Sequence, residues 1–438
     1  MKLLPFQIEP ASHLQRIVES GRTVSINASE TGTGKTYMGL HLVKELDRPT
    51  LILCPKATVP NWERLATGPI LDITNIEKLK TGNRKWLTRH KKLDYTWNLP
   101  KNSIVLVDEA HQYSGQSSQN AYALAYLKTR PDIHVHLMSA TLADSPAKFR
   151  MIGFLLGLHD FVHFTPWAIE HGCFVDVYGN LRFTKNPGGL PSHPMMELHH
   201  KIFPEYGIRL RTSEIEGFPR NLLTTVLASY TGTPRYLKEV AAYMAALTSE
   251  EVVKMGDWAD MPANQKSKEN PMVELLRSRQ ESELLKLPFL RDQVLDTLEE
   301  GHSAVVFLNF KYSIRVLQEL LKVPCLLIHG DRTDAECEEA KEQFQKNQGP
   351  IILCTHGRGG TGIDLHDLQG RPRRSLVSPC FSTVQFQQTL GRIHRAGSLS
   401  PAIQTIVCQK ATAEEMVLKT LDRKLKDLSK LNDGDLQL

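Results

Sequence analysis

Short runs in which nearly every residue is apolar or β-branched recur along the chain, each followed by a stretch with helical spacing. The first set comprises TVSIN (23–27), TLILC (50–54), ILDIT (70–74), SIVLVD (103–108) and HVHLMS (134–139). A second set comprises SAVVFL (303–308), CLLIH (325–329), PIILC (350–354), RSLVS (374–378) and IQTIVC (403–408). Continuous apolar runs of this length read as strands buried on both faces, and their alternation with helices predicts parallel sheets. The fold class is therefore α/β, with one parallel-sheet domain over 1–158 and another over 291–438. Between them, 159–290 is rich in helix formers and broken by loop composition such as DMPANQKSKENP (260–271), which predicts a mostly helical insertion and hinge. A last helix is expected over 412–431. Its Met416, Val417, Leu421, Leu425, Leu428 and Leu431 recur at three- to four-residue spacing, as a packing stripe does.

Composition narrows the class. Of 438 residues 41% are hydrophobic and 23% charged, which supplies cores for two or three domains and argues against wholesale disorder. The net charge of +5 is a weak pull toward a polyanion. Cysteines at 54, 173, 325, 337, 354, 380 and 408 form no C-x-x-C pair, so zinc ribbons and disulfide frameworks lose support and a reducing compartment fits. His193, His199 and His200 lack metal-ligand spacing. The start has no secretory apolar run and MIGFLLGL (151–158) is too short to span a bilayer, so a soluble intracellular protein without membrane partners is expected.

Two motifs carry chemistry. Ser29-Glu-Thr-Gly-Thr-Gly-Lys-Thr36 lies between a strand and a helical pattern, the setting of a loop whose backbone amides close on phosphates at a helix N-terminus. Glu30, Thr31, Gly32, Thr33 and Gly34 form that loop, Lys35 neutralises phosphate charge, and the Thr36 hydroxyl ligates Mg²⁺. The strict pattern has glycine where Ser29 stands. Ile104-Val-Leu-Val-Asp-Glu-Ala-His111 is an apolar strand ending in two adjacent acids. There Asp108 holds Mg²⁺ through water and Glu109 polarises the attacking water. ATP and Mg²⁺ are the expected cofactors.

On these residues the chain resembles the superfamily 2 helicases and translocases of DEAH-box type, and further motifs follow in that family's order. Gln7 resembles the glutamine that reads adenine. Pro55, Lys56 and Trp62 resemble motif Ia, and Thr74 and Asn75 motif Ib, both of which the resemblance places on nucleic acid. Ser139-Ala-Thr141 resembles motif III, which with His111 couples nucleotide state to grip. Thr355-His-Gly-Arg-Gly-Gly-Thr-Gly-Ile-Asp364 resembles motif V, implying Thr355, Gly357 and Arg358 on nucleic acid, Gly362 and Asp364 on nucleotide. Gln388-Thr-Leu-Gly-Arg-Ile-His-Arg395 resembles motif VI, in which Gln388 is catalytic and Arg392 and Arg395 reach the γ-phosphate from the opposing domain. The resemblance implies two RecA-like domains that clamp ATP and convert its hydrolysis into movement.

Several features are similar to the Swi/Snf-like branch: the Pro55-to-Trp62 spacing, Arg209 and Arg211 ahead of Gly217-Phe-Pro219, His329-Gly-Asp-Arg332, and Thr412-Ala-Glu-Glu415. Motif V continues Gly-Ile-Asp-Leu and motif III reads Ser-Ala-Thr, both closer to DEAH-type unwinding relatives. The branch implies a compact translocase, viral or bacterial, on double-stranded DNA, with RNA or single-stranded DNA as alternative tracks. Strand separation, or an ATP-controlled binding switch, remain alternative activities. Lys78–Lys92 holds seven Lys or Arg and no acid, with Trp86 inside; a solvated face and a phosphate-contacting arm are both open readings. Arg371-Pro-Arg-Arg374 is a weaker basic candidate, and Trp167 and Trp258 read as packing residues. VDVYGNLRF (175–183), with a Tyr-Gly-Asn turn at its centre, is where a short pin fits.

Overall fold

The computed structural model describes residues 2–81, 85–91, 93–113, 118–183, 193–247, 271–360 and 362–433. Arg84, Lys92, Trp258, Thr361 and the loop composition at 260–270 fall outside them. All ten expected strands form, and together with two unexpected ones, 207–208 and 221–228, they build two six-stranded sheets in which every pairing is parallel. None of the described helices is long and apolar enough to cross a membrane.

The strands of the first unit are β1 (Val24–Asn27), β2 (Thr50–Leu53), β3 (Ile70–Thr74), β4 (Leu87–Lys91), β5 (Asp94–Trp97), β6 (Ile104–Val107), β7 (His134–Met138), β8 (Cys173–Val175), β9 (Leu181–Phe183) and β10 (Gly207–Ile208). The sheet runs β10-β1-β7-β6-β2-β3, while β4-β5 and β8-β9 are separate antiparallel hairpins. Every residue of β1, β2, β6 and β7 is buried because helices cover both faces. On one face, Ala11, Leu14, Ile17 and Val18 of α1 (Pro5–Glu19) pack with Met38 and Leu42 of α2 (Lys35–Leu46). On α2, Gly39 lets the helix lie close to the sheet; a Cβ there would stand 2.9 Å from Met138 Sδ. A further cluster joins Leu40 and Val43 of α2 to Trp62 of α3 (Val59–Leu65), Ile52, Leu106 and Met138.

The second unit holds β11 (Asn221–Ala228), β12 (Ser303–Leu308), β13 (Leu326–Ile328), β14 (Ile351–Thr355), β15 (Arg373–Val377) and β16 (Ala402–Gln409), in the order β11-β16-β15-β12-β14-β13. The helix Pro271–Leu285 and its exit bring charge into this core. Glu283 accepts the backbone amides of Asn309 and Phe310 where β12 ends, and Lys286 pairs with Glu414 at 2.6 Å, both buried. Paired in this way, the charges are tolerated; either one left alone would be costly.

The division differs from the sequence expectation. The chain separates into Met1–Glu216 with Lys424–Leu438, and Gly217–Arg423, so 159–290 is not an insertion of its own. Its earlier part supplies β8, β9 and β10, and its later part β11. The reason is physical: β10 is only two residues long, while β11, NLLTTVLA, has the apolar and β-branched residues of a strand but is an edge strand with most of them exposed, set in a stretch otherwise rich in helix formers. The last helix forms over Ala413–Asp433, with Val417 and Leu421 buried and Met416 half-exposed.

Candidate active site

The C-terminal ends of β1, β6 and β7 gather the chemistry of the first unit, as the rule for open parallel sheets requires. After β1 the chain turns through Gly32 and Gly34, both at positive φ, and enters α2 at Lys35. Lys35 Nζ donates to the carbonyls of Ser29 (2.8 Å) and Glu30 (3.0 Å), so its cation folds over the mouth of the loop. Gln7 is buried; its Nε2 donates to Thr33 O at 2.8 Å and its Oε1 accepts Leu4 N at 2.9 Å. A Cβ on Gly34 would collide with that amide. The glutamine expected on adenine thus also braces the phosphate loop. Thr31 and Thr36 keep partial exposure there.

A second brace has no signal in the sequence. The segment after β10 returns to the loop: Glu30 N donates to Leu210 O, Leu210 N to Ser29 Oγ, and Thr212 bonds the Glu30 carboxylate through N (2.8 Å) and Oγ1 (2.6 Å). Arg209 donates to the carbonyls of Ala28 and of Ala140 in motif III. Its partners lie far away in sequence, so no local pattern announces them.

At the end of β6, Glu109 takes a positive φ of 50° and follows Asp108 immediately. Asp108 keeps some exposure yet lies deep enough that desolvation, then the neighbouring Glu109 charge, pushes its carboxyl up to about 6, against the opposing pulls of Trp62 and Lys35. A carboxylate held so, beside a second carboxylate and with Lys35 close enough to act on it, is an oxygen donor of the kind that suits Mg²⁺, and the Thr36 hydroxyl at the start of α2 is a further oxygen donor of that kind. His111 stands 3.2 Å from Glu109 Oε2, and its Nδ1 lies 2.9 Å from Ser139 Oγ. Ser139 Oγ donates to Thr141 O and accepts Thr141 N. The turn after β6 and the end of β7 are thereby linked through His111.

In the second unit, His356 is buried between Thr389 Oγ1 (3.1 Å) and Ser378 O (2.8 Å), which ties motif V to motif VI. Arg392 is buried, and its guanidinium donates to the carbonyls of Gln388, Ile363 and Gly360. Arg395 is partly exposed and pairs with Asp364 at 2.9 Å. Gln388 is buried with Nε2 unpartnered among the described residues, and Gly362 takes a φ of 72°. His394 contacts Pro219 O at 2.8 Å and Phe218 edge-on, so Gly217-Phe-Pro219 docks on motif VI.

The residues expected on nucleic acid divide by exposure. Lys56 and Gly357 are exposed, and Pro55, Asn75 and Arg358 partly so, Arg358 beside Asp334. Thr74 and Thr355 are almost covered, and Trp62 is 1% exposed. Trp62 is therefore corrected: its indole fills the core beneath the site, and its Nε1–H donates to Asp108 Oδ2 at 2.9 Å. The basic run resolves into the helix α4 (Ile76–Thr81) and β4, with Lys78, Lys85 and Arg89 outward while Leu79, Trp86 and Leu87 are buried. Arg371–Arg374 is no open patch: Arg373 is buried under Phe344 and bonded to Ser303, and Arg374 pairs with Glu300. Trp167 is buried and stacked on His171, a packing residue as read.

Residues 285–397 match the helicase conserved C-terminal domain. A protein of Acanthamoeba polyphaga mimivirus named as an ATP-dependent RNA helicase is 28% identical over 476 aligned positions, covering 100% of this chain and 84% of that one. The chromatin remodeling factor mit1 of Schizosaccharomyces pombe is 20% identical, covering 91% of this chain and 31% of its own length. Among solved structures, S. cerevisiae Dbp5 bound to RNA and ADP BeF3 covers 97% of this chain and 92% of its own at a TM-score of 0.50 and 14% identity, which shows a shared fold of two RecA-like domains.

Proposed function

We propose that this chain, a superfamily 2 helicase-type ATPase and hence an ATP-dependent nucleic-acid motor, tracks along double-stranded DNA by its phosphates. What carries the reading is the hairpin β4-β5, next to motif Ib. Its apolar residues Leu87, Tyr95 and Trp97 anchor it in the core while Lys85 and Arg89 stand outward. Outward cations that follow Asn75 and α4 in the chain supply backbone contacts, which is all that following a duplex demands. The Swi/Snf-like spacing of Pro55 to Trp62 and the similarity to a chromatin remodelling factor along most of the chain point the same way.

Within the ATP site, the loop amides and Lys35 bind the phosphates, and Thr36 with Asp108 would hold Mg²⁺. When bound, that ion neutralises charge on the β- and γ-phosphates. Glu109 orients and deprotonates the attacking water, and His111 reports its state to Ser139. Of the two motif VI arginines, Arg395 is the one that delivers positive charge to the transition state. Arg392, spent on three carbonyls, holds motif V to motif VI.

A second reading, strand separation on RNA or DNA, is favoured by one observation. The hairpin β8-β9 projects Val177 (94% exposed) and Tyr178 (84% exposed), braced by Asp176, which accepts the amides of Tyr178 and Asn180. The mimivirus relative's name also speaks for RNA. ATP hydrolysis rates measured with duplex DNA, single-stranded DNA, forked DNA and RNA separate the two. Duplex DNA is expected to stimulate at least as well as single strands; stimulation by RNA or single strands alone contradicts the duplex reading.

A further inference from the structure

The bond between Trp62 and Asp108 joins residues 46 positions apart and has no part in the expected chemistry. Asp108 Oδ1 accepts the backbone amide of Glu109 at 3.0 Å, and Oδ2 accepts the indole N–H at 2.9 Å. The first bond is local to the turn and leaves the carboxylate free to rotate about its own axis. The second fixes that rotation. We propose that Trp62 is a positioning residue for the ATPase reaction: its indole N–H sets the orientation in which Asp108 meets the metal–nucleotide complex.

Three features support this over core filling alone. An indole nitrogen can only donate, so its sole polar option in a buried place is an acceptor, and an ionised carboxylate makes the strongest one. The ring is wedged between α2, which carries Lys35 and Thr36, and β6, which leads into Asp108; Leu40, Val43 and Leu106 touch the same cluster. It therefore has no latitude to follow a drifting carboxylate. Finally, α3 continues directly from the turn at Lys56–Thr58, so the segment expected on the nucleic-acid backbone and the arm that holds Asp108 share one rigid stretch. Groups that orient a metal-holding carboxylate in this way typically alter metal affinity or activity about 10- to 100-fold when removed.

The inference rests on the ATP-site reading and is tested on the full chain with two variants. Trp62→Phe removes the N–H and part of the ring; benzothienylalanine at position 62 keeps the ring's shape and replaces only the N–H by sulfur. Mn²⁺ binding to the protein–ADP complex is followed by electron paramagnetic resonance, and binding of a fluorescent ADP in EDTA reports the phosphate loop without metal. In both variants Mn²⁺ affinity and kcat are expected to fall about tenfold. Metal-free ADP affinity and the melting temperature of the isostere variant should stay at wild-type values, a split that loss of packing would not produce. An isostere variant that melts like wild type and binds Mn²⁺ equally well overturns the inference. Absence of Mn²⁺–ADP binding in the wild type would overturn the ATP-site reading itself, and the inference with it.

Discussion

A glutamate in left-handed backbone is uncommon, and Glu109 adopts it where β6 gives way to the turn carrying His111. Such a conformation costs about 1 kcal/mol or more and persists where surrounding bonds fix it, here Asp108 Oδ1 and His111. Replacing Glu109 by Gln keeps the shape and removes the base. Turnover should fall by roughly two or more decades while ATP still binds, whereas Lys35→Ala should weaken nucleotide binding itself. Wild-type turnover in Glu109→Gln would remove the assignment. A different residue-scale prediction concerns pH. Ser25 Oγ lies 2.7 Å from both His134 Nε2 and His136 Nδ1, beneath the sheet. Burial pushes His134 down to about 4 and His136 to about 3. Since the unfolded chain takes protons near the ordinary value of 6.5, the stability these neutral rings contribute is complete above 6.5. It is lost progressively as pH falls below 6.5 toward 4 and then 3. Melting temperatures across that window should drop on acidification, and a His134→Gln, His136→Gln protein should show a flatter slope; an unchanged slope removes the two histidines as its cause. Lys35, Asp108 and Glu109 are legible in the sequence because their chemistry is local to two short motifs. Trp62 is misplaced on the nucleic-acid face, and Arg209 reads only as a branch marker, because their partners are fixed by folding over 46 and 181 positions.

Most of the ten expected strands are runs of four to six residues buried on both faces and so announce themselves; β3 is only partly buried and β13 is three residues long, yet both form where their apolar runs lie. The elements that escape do so for other reasons: β10 is two residues long, β11 is an exposed edge strand inside a helix-rich stretch, and the core-anchored hairpin β4-β5 alternates cations with Trp86, Leu87, Tyr95 and Trp97, so that from charge alone it looks like a single basic run. The hairpin gives a direct expectation. Neutralising Lys85 and Arg89 should weaken nucleic-acid binding regardless of base sequence and reduce the slope of affinity against salt by about one for each phosphate left without its cation, with basal ATP hydrolysis unchanged. Unchanged affinity across a salt titration would return the hairpin to a solvated face. In the second unit, Gly359 belongs to packing rather than to phosphate binding. A Cβ there would stand 2.6 Å from Cys354 Cβ on β14 and 3.0 Å from Phe307. Gly359→Ala should cost about 1–3 kcal/mol in denaturant unfolding; a neutral result would mean that the helix His356–Gly359 is looser than its packing implies.

At the scale of the molecule, neither unit carries a full set of motifs: phosphate loop, Asp108 and Glu109 belong to one, Arg392 and Arg395 to the other. The repeated strand rhythm makes the two sheets legible, but not the boundary at Glu216, because β10 is only two residues long and β11 is an exposed edge strand. If turnover draws on both units, Arg395→Ala should depress kcat far more than ATP affinity, as expected of an interaction made only in the reacting state; an equal loss in both would place Arg395 in ground-state binding. The central claim is that the motor follows a duplex without opening it, and triplex displacement run beside forked-duplex unwinding tests it most directly. ATP-dependent release of the third strand is expected, with little separation of a long plain duplex. Efficient unwinding without triplex displacement would contradict the claim and assign the exposed Tyr178 hairpin the leading role.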